Sequence, residues 1–354
     1  MTRSRLVVLI SGSGSNLQAI IDACQNNEVN GEICAVISNK ADAYGLVRAQ
    51  NAGIETAILS HKDYPSREDY DIELAALIDS FNPDLVVLGH ADSINLETID
   101  FIKSKKIKIC QWFLDPVGKG TPDKEKNKNR LILKSQYLDA SFLTTDPNSL
   151  DFKSKNTFFI PNPADPSFET LNNYQKDCKN DFFFAMSHGV HRGELKKGKK
   201  DDREIFIKKL IKLNKSITFD IYGMFNSQPI WAENFLNKVS NSSMGLNLSR
   251  GKPIKYYSSD RIVQLIGNGL LTFIDEKTCL SDFFTNKELI FYKNISDLSE
   301  KLNKFSRDKK EGKKIARLGK IKYLKYFNSS LVSEFLTTKT FEIKSKKKFV
   351  WEKK

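Results

Sequence analysis

Short apolar runs and longer half-apolar stretches take turns along this chain, and their order predicts its elements. Residues 5–10 are an apolar run of strand length, followed by residues 16–24, where Leu17, Ile20 and Ile21 recur at helical spacing. The alternation continues with strands at 33–37, 55–59 and 84–88 and helices at 43–51 and 67–81, the last carrying Leu74, Leu77 and Ile78. It then runs on through a helix at 96–103, a strand at 107–112 and strands at 140–144 and 157–160; the polar, turn-rich stretch 118–129 reads as a surface loop. Asn162-Pro163-Ala164-Asp165-Pro166 interrupts the rhythm, because proline with neighbouring Asn and Asp favours turns. A second series follows, with strands at 182–186, 217–221, 244–248, 270–274 and 288–291 and helices at 202–213, 231–239 and 259–266. Three amphipathic stretches close the chain before a charged tail, 344–354, which is expected to fray.

Strand-helix alternation implies parallel sheets wound with helices on both faces. The chain of 354 residues is long enough for two such cores. The fold expected is therefore α/β, with two Rossmann-like doubly wound domains facing a cleft: an N-terminal one over 1–165 and a C-terminal one over 166–354, which also takes the closing helices. No apolar run approaches the ~18–20 residues of a membrane span. With no signal-peptide core at the start, a cytoplasmic protein is expected. The five cysteines are scattered and never paired as CxxC, which argues against a disulfide framework or a structural zinc site. Phe182, Phe183 and Phe184 read as buried strand.

Composition adds a seam that the periodicity does not show. Residues 1–90 hold 6 Lys and Arg against 12 Asp and Glu, whereas the rest of the chain holds 50 against 31. Ten of the 16 alanines precede residue 91, but only one of the 24 phenylalanines, Phe81, does. The formal charge of +13 is thus carried after the seam. Its even spread and the lack of a recognition motif argue against nucleic acid as a partner.

The first strand ends in Ser11-Gly12-Ser13-Gly14-Ser15-Asn16 and runs straight into a helix. Gly12 and Gly14 allow close backbone approach to an anion, Ser15 and Asn16 offer side-chain donors and a cap, and a helix N-terminus presents free N–H groups. The spacing is neither the dinucleotide fingerprint nor a P-loop, and a tight turn alone would account for it equally. Residues 6–16, the following Leu17-Gln18-Ala19-Ile20-Ile21-Asp22, Ile37-Ser38-Asn39-Lys40-Ala41-Asp42-Ala43 and Pro83-Asp84-Leu85-Val86-Val87-Leu88 together resemble the start of phosphoribosylglycinamide formyltransferase. That resemblance implies a phosphate held by Gly14, Ser15 and Asn16. It stops at residue 88. Gly89-His90-Ala91-Asp92 stands where the family has Gly-Phe-Met-Arg, and its Asn, His and Asp catalytic set does not follow.

Residues 89–354 resemble two-Rossmann (GT-B) glycosyltransferases, in particular the CgeB-like group. The likeness rests on the strand 107–112, Asn162-Pro163, Ser187-His188-Gly189-Val190-His191-Arg192-Gly193, Tyr222-Gly223-Met224 with Trp231, and above all on residues 244–269. It implies transfer of a sugar from a UDP-, GDP- or dTDP-sugar donor to an unknown acceptor, with no permanently bound cofactor. Departure of the nucleotide leaves negative charge on a diphosphate, which Arg, Lys and backbone N–H groups stabilise. The donor and phosphate candidates are Gly189, Arg192, Lys197, Arg250, Ser258, Ser259 and Asp260. Asp92 and His188 are the acid-base candidates. No DxD motif occupies a convincing loop, so no metal is assigned. Two other readings stay open: a formyltransferase-like protein lacking the usual catalytic residues, and a non-catalytic chimeric nucleotide-binding protein.

Overall fold

The computed structural model describes residues 3–27, 29–89, 94–121, 123–187 and 201–352. They divide into two compact units. The first comprises Met1–Gly118, Asp123–Pro163 and Asn328–Lys354; the second comprises Lys119–Pro122 and Ala164–Phe327.

The first unit holds strands β1 (Ser4–Ile10), β2 (Gly31–Ser38), β3 (Thr56–Ile58), β4 (Leu85–Gly89), β5 (Lys108–Phe113), β6 (Ala140–Leu143) and β7 (Thr157–Phe159). Between them run α1 (Ser15–Gln25), α2 (Tyr44–Asn51), α3 (Arg67–Ser80), α4 (Leu96–Ser104) and α5 (Lys124–Ser135). The strands pair in parallel in the order β3-β2-β1-β4-β5-β6-β7. The winding reverses between β1 and β4, so loops after those two strands meet at a switch point.

The compositional seam falls at the end of β4, inside this sheet. Register crosses it without a break, from Leu85 opposite Lys108 to Gly89 opposite Trp112. One core joins Val7, Leu9, Ile37 and Val86 from before the seam to Ile99, Ile107 and Ile109 from after it. Helix α11 (Ser329–Thr340) returns to this unit and lies on α1. There the Ser333 hydroxyl donates to the Ala19 carbonyl at 3.3 Å.

The second unit holds β8 (Asn180–Ala185), β9 (Phe219–Tyr222), β10 (Ser242–Asn247), β11 (Leu271–Asp275) and β12 (Ile290–Tyr292). Its helices are α6 (Asp202–Leu213), α7 (Ala232–Val239), α8 (Arg261–Ile266), α9 (Ile295–Arg307) and α10 (Lys309–Tyr326). The parallel order is β12-β11-β10-β8-β9, with its switch point between β8 and β10. Central β8 shows why its sequence is all aromatic. Phe182 and Phe184 face one core with Ile207, Leu210 and Leu302, while Phe183 faces another with Val239 and Leu265. A strand covered on both faces needs an unbroken apolar run. Each ring is fully buried and contributes on the order of 2–3 kcal/mol.

Three expectations are corrected. The stretch 118–129 is not all loop: α5 starts at Lys124, and its apolar residue Leu131 is fully buried just beyond the polar window. The tail does not fray throughout, because Phe349 and Trp351 are buried, with ring centroids 4.9 and 5.7 Å from that of Phe335. Two anchoring aromatics outweigh the surrounding lysines. For the same reason, residues 328–354 join the first unit rather than extending the second domain to 354.

Candidate functional site

In the first unit the Gly-rich loop lies at the C-terminal end of β1, at the β1/β4 switch point. Gly14 is the N-cap of α1, with φ of +70°, and makes no side-chain cap. The helix therefore begins at Ser15, with Gly14 in the cap position. A Cβ on Gly14 would sit 2.6 Å from the Gly45 Cα at the start of α2. The Gly45 N–H donates to the Gly12 carbonyl at 3.1 Å. Arg48 braces the same turn, donating through Nε to the Ser13 carbonyl at 2.8 Å. Gly12, by contrast, has open space where a Cβ would go. The turn thus needs Gly14 for its backbone but not Gly12. Asp92 lies outside the described residues.

The second switch point is furnished differently. Arg261, at the first position of α8, reaches across it. Its Nε donates to the Ala185 carbonyl at the end of β8, at 2.9 Å. Its Nη1 donates to the Leu248 carbonyl just after β10, at 3.1 Å, and to the Ser259 hydroxyl at 3.0 Å. The guanidinium lies 4.9 Å from the centroid of the Phe184 ring. Burial, with the Arg203 guanidinium nearby, pulls its pKa down to about 10, so it remains cationic at neutral pH. Ser259 also donates to the Asn247 side-chain carbonyl at 3.3 Å.

Arg203 is held at the start of α6 by a two-pronged ion pair. Its Nε and Nη2 meet the two carboxylate oxygens of Asp201 at 2.9 and 2.8 Å. Asp201 also caps α6, accepting from the Arg203 backbone N–H at 2.9 Å. Both side chains are nearly buried. One further neighbour is shaped by close approach. Gly223, after β9, has φ of +78°, and a Cβ there would lie 1.7 Å from the Met186 carbonyl oxygen that follows β8.

Of the residues expected in this site, Ser258, Ser259 and Asp260 lead into α8 as anticipated. Ser258 is buried, Asp260 exposed, and Arg250 exposed in the loop after β10. His188, Gly189, Arg192 and Lys197 lie outside the described residues. Arg261, Arg203 and Asn247 were not singled out from the sequence. A usable signal existed for Arg261. A cation in a helix's first turn opposes the helix dipole, so its place calls for compensating partners.

A buried titratable group sits beneath the same unit. The Glu169 carboxylate accepts the Asp165 N–H at 2.7 Å. Burial is the main cause that pushes its pKa up to about 8. Lys320 donates to the Glu169 and Leu171 carbonyls at 3.0 and 2.7 Å, and its own pKa is lowered by burial.

Comparison with known proteins assigns the two ends of the chain to different families, with the first match running past the compositional seam. Residues 4–107 match the family model described as Formyl transferase, and residues 200–342 match the one described as Glycosyl transferase-like. Phosphoribosylglycinamide formyltransferase of Escherichia coli (strain K12) is 60% identical over 84 residues, which are 24% of this chain and 40% of that protein. The Haemophilus influenzae enzyme of the same name is 46% identical over 85 residues, again 24% and 40%. This chain therefore spans about two fifths of the length of these relatives. The solved structure of Anabaena HepE in complex with UDP and glucose covers 96% of this chain and 100% of its own, with a TM-score of 0.64 at 9% identity. That likeness shows the fold, two Rossmann-like units of the GT-B kind. The chain joins an N-terminal formyltransferase-like segment to a C-terminal glycosyltransferase-like domain, within a single fold of the GT-B type.

Proposed function

We propose that this chain is a glycosyltransferase that takes a sugar from a nucleotide-sugar donor, with the donor's diphosphate received at the β8/β10 switch point. The observation that carries the reading is Arg261, a guanidinium enclosed between the ends of those two strands. Glycosyl transfer breaks the anomeric C–O bond, and the bonding electrons leave with the nucleotide. A guanidinium held by three acceptors is already oriented when that charge develops, and such preorganisation lowers the barrier. In this reading Ser258, Ser259 and Arg250 bind the phosphates with Gly189, Arg192 and Lys197, which follow β8 in sequence. Asp260 is assigned to donor hydroxyls, Asp92 to activation of the acceptor hydroxyl and His188 to proton transfer.

The glycosyltransferase-like match over residues 200–342 supports this assignment. HepE, of the same fold, has been solved with UDP-glucose, so a UDP-sugar is the donor we place first. A thermal-shift series with UDP-, GDP- and dTDP-sugars tests it. Stabilisation by one nucleotide is the expected result, and a folded protein indifferent to all of them refutes it.

The loop of the first unit favours a narrower second reading: anion binding retained without formyl transfer. Its turn is intact around Gly14 and Gly45, and the matching segment is 60% identical to a formyltransferase. Calorimetry with glycinamide ribonucleotide should then show weak binding and no turnover. Absence of any heat of binding eliminates that reading.

A further inference from the structure

We propose that Tyr256 is a positioning residue for the donor site, clasping the loop that carries Ser258 and Ser259 to the segment that follows β11. This assignment rests on the donor reading above and adds to it the means by which the phosphate-facing loop is held.

The chain between β10 and α8 takes a left-handed backbone twice. Gly251 does so with φ of +80°, where the lack of a Cβ makes it easy. Tyr256 does so with φ of +61°, where its Cβ crowds the carbonyl that follows. Three contacts hold the buried tyrosine in that conformation. Its N–H donates to the Thr278 carbonyl at 2.7 Å. Its hydroxyl donates to an Asp282 carboxylate oxygen at 2.5 Å. Its ring centroid lies 4.7 Å from that of Phe283. The receiving segment is tied to β11 in turn. Asp275, the last residue of that strand, accepts the Thr278 hydroxyl through its carbonyl at 2.7 Å, and its side chain accepts the Lys277 N–H at 2.9 Å.

Packing alone does not call for this arrangement. A ring that only fills space needs neither a hydroxyl on a carboxylate nor a left-handed backbone. Strain of this kind persists where the surroundings over-determine it, and it clusters where a functional geometry is held. What Tyr256 governs lies two and three residues on. Ser258 is buried, and the Ser259 hydroxyl donates to the Asn247 side-chain carbonyl and accepts from Arg261 Nη1 at 3.0 Å. The clasp at Tyr256 and the bridge at Arg261 thus fix the two ends of residues 256–261. Groups held in place before negative charge develops stabilise it better than groups that must first be gathered.

Calorimetric titration of the full chain with UDP and with uridine, which lacks the phosphates, tests the proposal. Tyr256→Phe keeps the ring and removes the hydroxyl. It should weaken UDP binding about fivefold or more and change uridine binding less than about twofold. Asp282→Ala removes the partner instead and should reproduce the loss. Asp282→Asn keeps a carbonyl acceptor and should bind UDP within about twofold of wild type. Combining Tyr256→Phe with Asp282→Ala should weaken binding no further than either change alone. A tyrosine that only packs the core would lower the melting temperatures of these variants and leave the UDP affinity of the folded protein unchanged. That result overturns the proposal, as do equal losses for UDP and uridine or additive losses in the double variant. Failure of the wild type to bind UDP is failure of the donor reading and removes this assignment with it. Wild-type binding that survives Tyr256→Phe leaves the donor reading standing and removes Tyr256 alone.

Discussion

The two switch points have the same topology and opposite chemistry. In the first unit, the turn after β1 is made almost entirely of backbone: Gly14 packs against Gly45, and the nearby cation, Arg48, is spent on the Ser13 carbonyl. In the second, Arg261 is fixed at the strand ends with Ser259 and Asn247 beside it, and Arg203 is paired with Asp201 at the start of α6. A parallel sheet supplies a place for a ligand wherever its winding reverses. It does not supply the chemistry, which depends on the side chains brought to that place. Here the first unit has a glycine turn braced by its own backbone, whereas the second holds one buried guanidinium, Arg261, on neutral acceptors, with Arg203 matched by Asp201.

Substitutions at the two sites should separate frame from chemistry. The largest effect is expected at Gly223. Alanine there meets the Met186 carbonyl oxygen in a left-handed backbone, so Gly223→Ala should cost about 3 kcal/mol or more in denaturant unfolding and disrupt the loop beside β8. Arg261→Met comes next. It leaves the Ala185 and Leu248 carbonyls without their donor, and an unsatisfied buried acceptor costs about 1–3 kcal/mol. It should also weaken nucleotide binding at least tenfold by calorimetry, whereas Arg48→Met in the first unit should leave nucleotide binding unchanged. If both arginine variants behaved alike toward nucleotide, the contrast between the sites would fail.

The paired variants Gly14→Ala and Gly12→Ala sharpen the claim that the first turn is a backbone device. Gly14→Ala places a methyl against Gly45 at positive φ and should cost about 2 kcal/mol. Gly12→Ala has open space and should stay within about 0.5 kcal/mol of wild type. Equal melting temperatures for the two variants would contradict that account.

The smallest effect is a pH dependence confined to the second unit. The folded pKa of Glu169, about 8, lies above its ordinary value, so the folded protein holds this proton more tightly than the unfolded chain. The stability it contributes is complete below the ordinary carboxylate range and is lost as pH rises towards and past 8. Between pH 6 and pH 9 the stability should fall, most of the loss coming below pH 8. Glu169→Gln should flatten that slope. An unchanged slope in the variant would remove Glu169 as its source.

Much of the frame was legible in the residues. The strand-helix rhythm carries local information, because apolar periodicity and turn residues act over a few positions. Residues 118–129 show the limit: their polar face starts α5, but the helix is secured by Leu131, outside the stretch that looked like a loop. The tail shows another. Phe349 and Trp351 are two aromatics among lysines, and only the return of α11 to the first sheet gives them Phe335 to pack on. At the site, Ser258, Ser259 and Asp260 stood out by position before a helix. Arg261 did not, because its role depends on bringing the ends of β8 and β10 together, and those residues are 76 and 13 positions away along the chain. Asn247 was missed for a similar reason, its partner Ser259 lying 12 positions on, whereas the partner of Arg203, Asp201, is only two positions away.

The most direct test of the central claim is calorimetric titration of the full chain, wild type and Arg261→Lys, with UDP-glucose and UDP. The lysine keeps a positive charge but has no fork to span the Ala185 and Leu248 carbonyls. The account predicts saturable binding of one nucleotide per wild-type chain and at least a tenfold loss in the folded variant. Absence of binding to the wild type, or equal affinity in the two proteins, would contradict it.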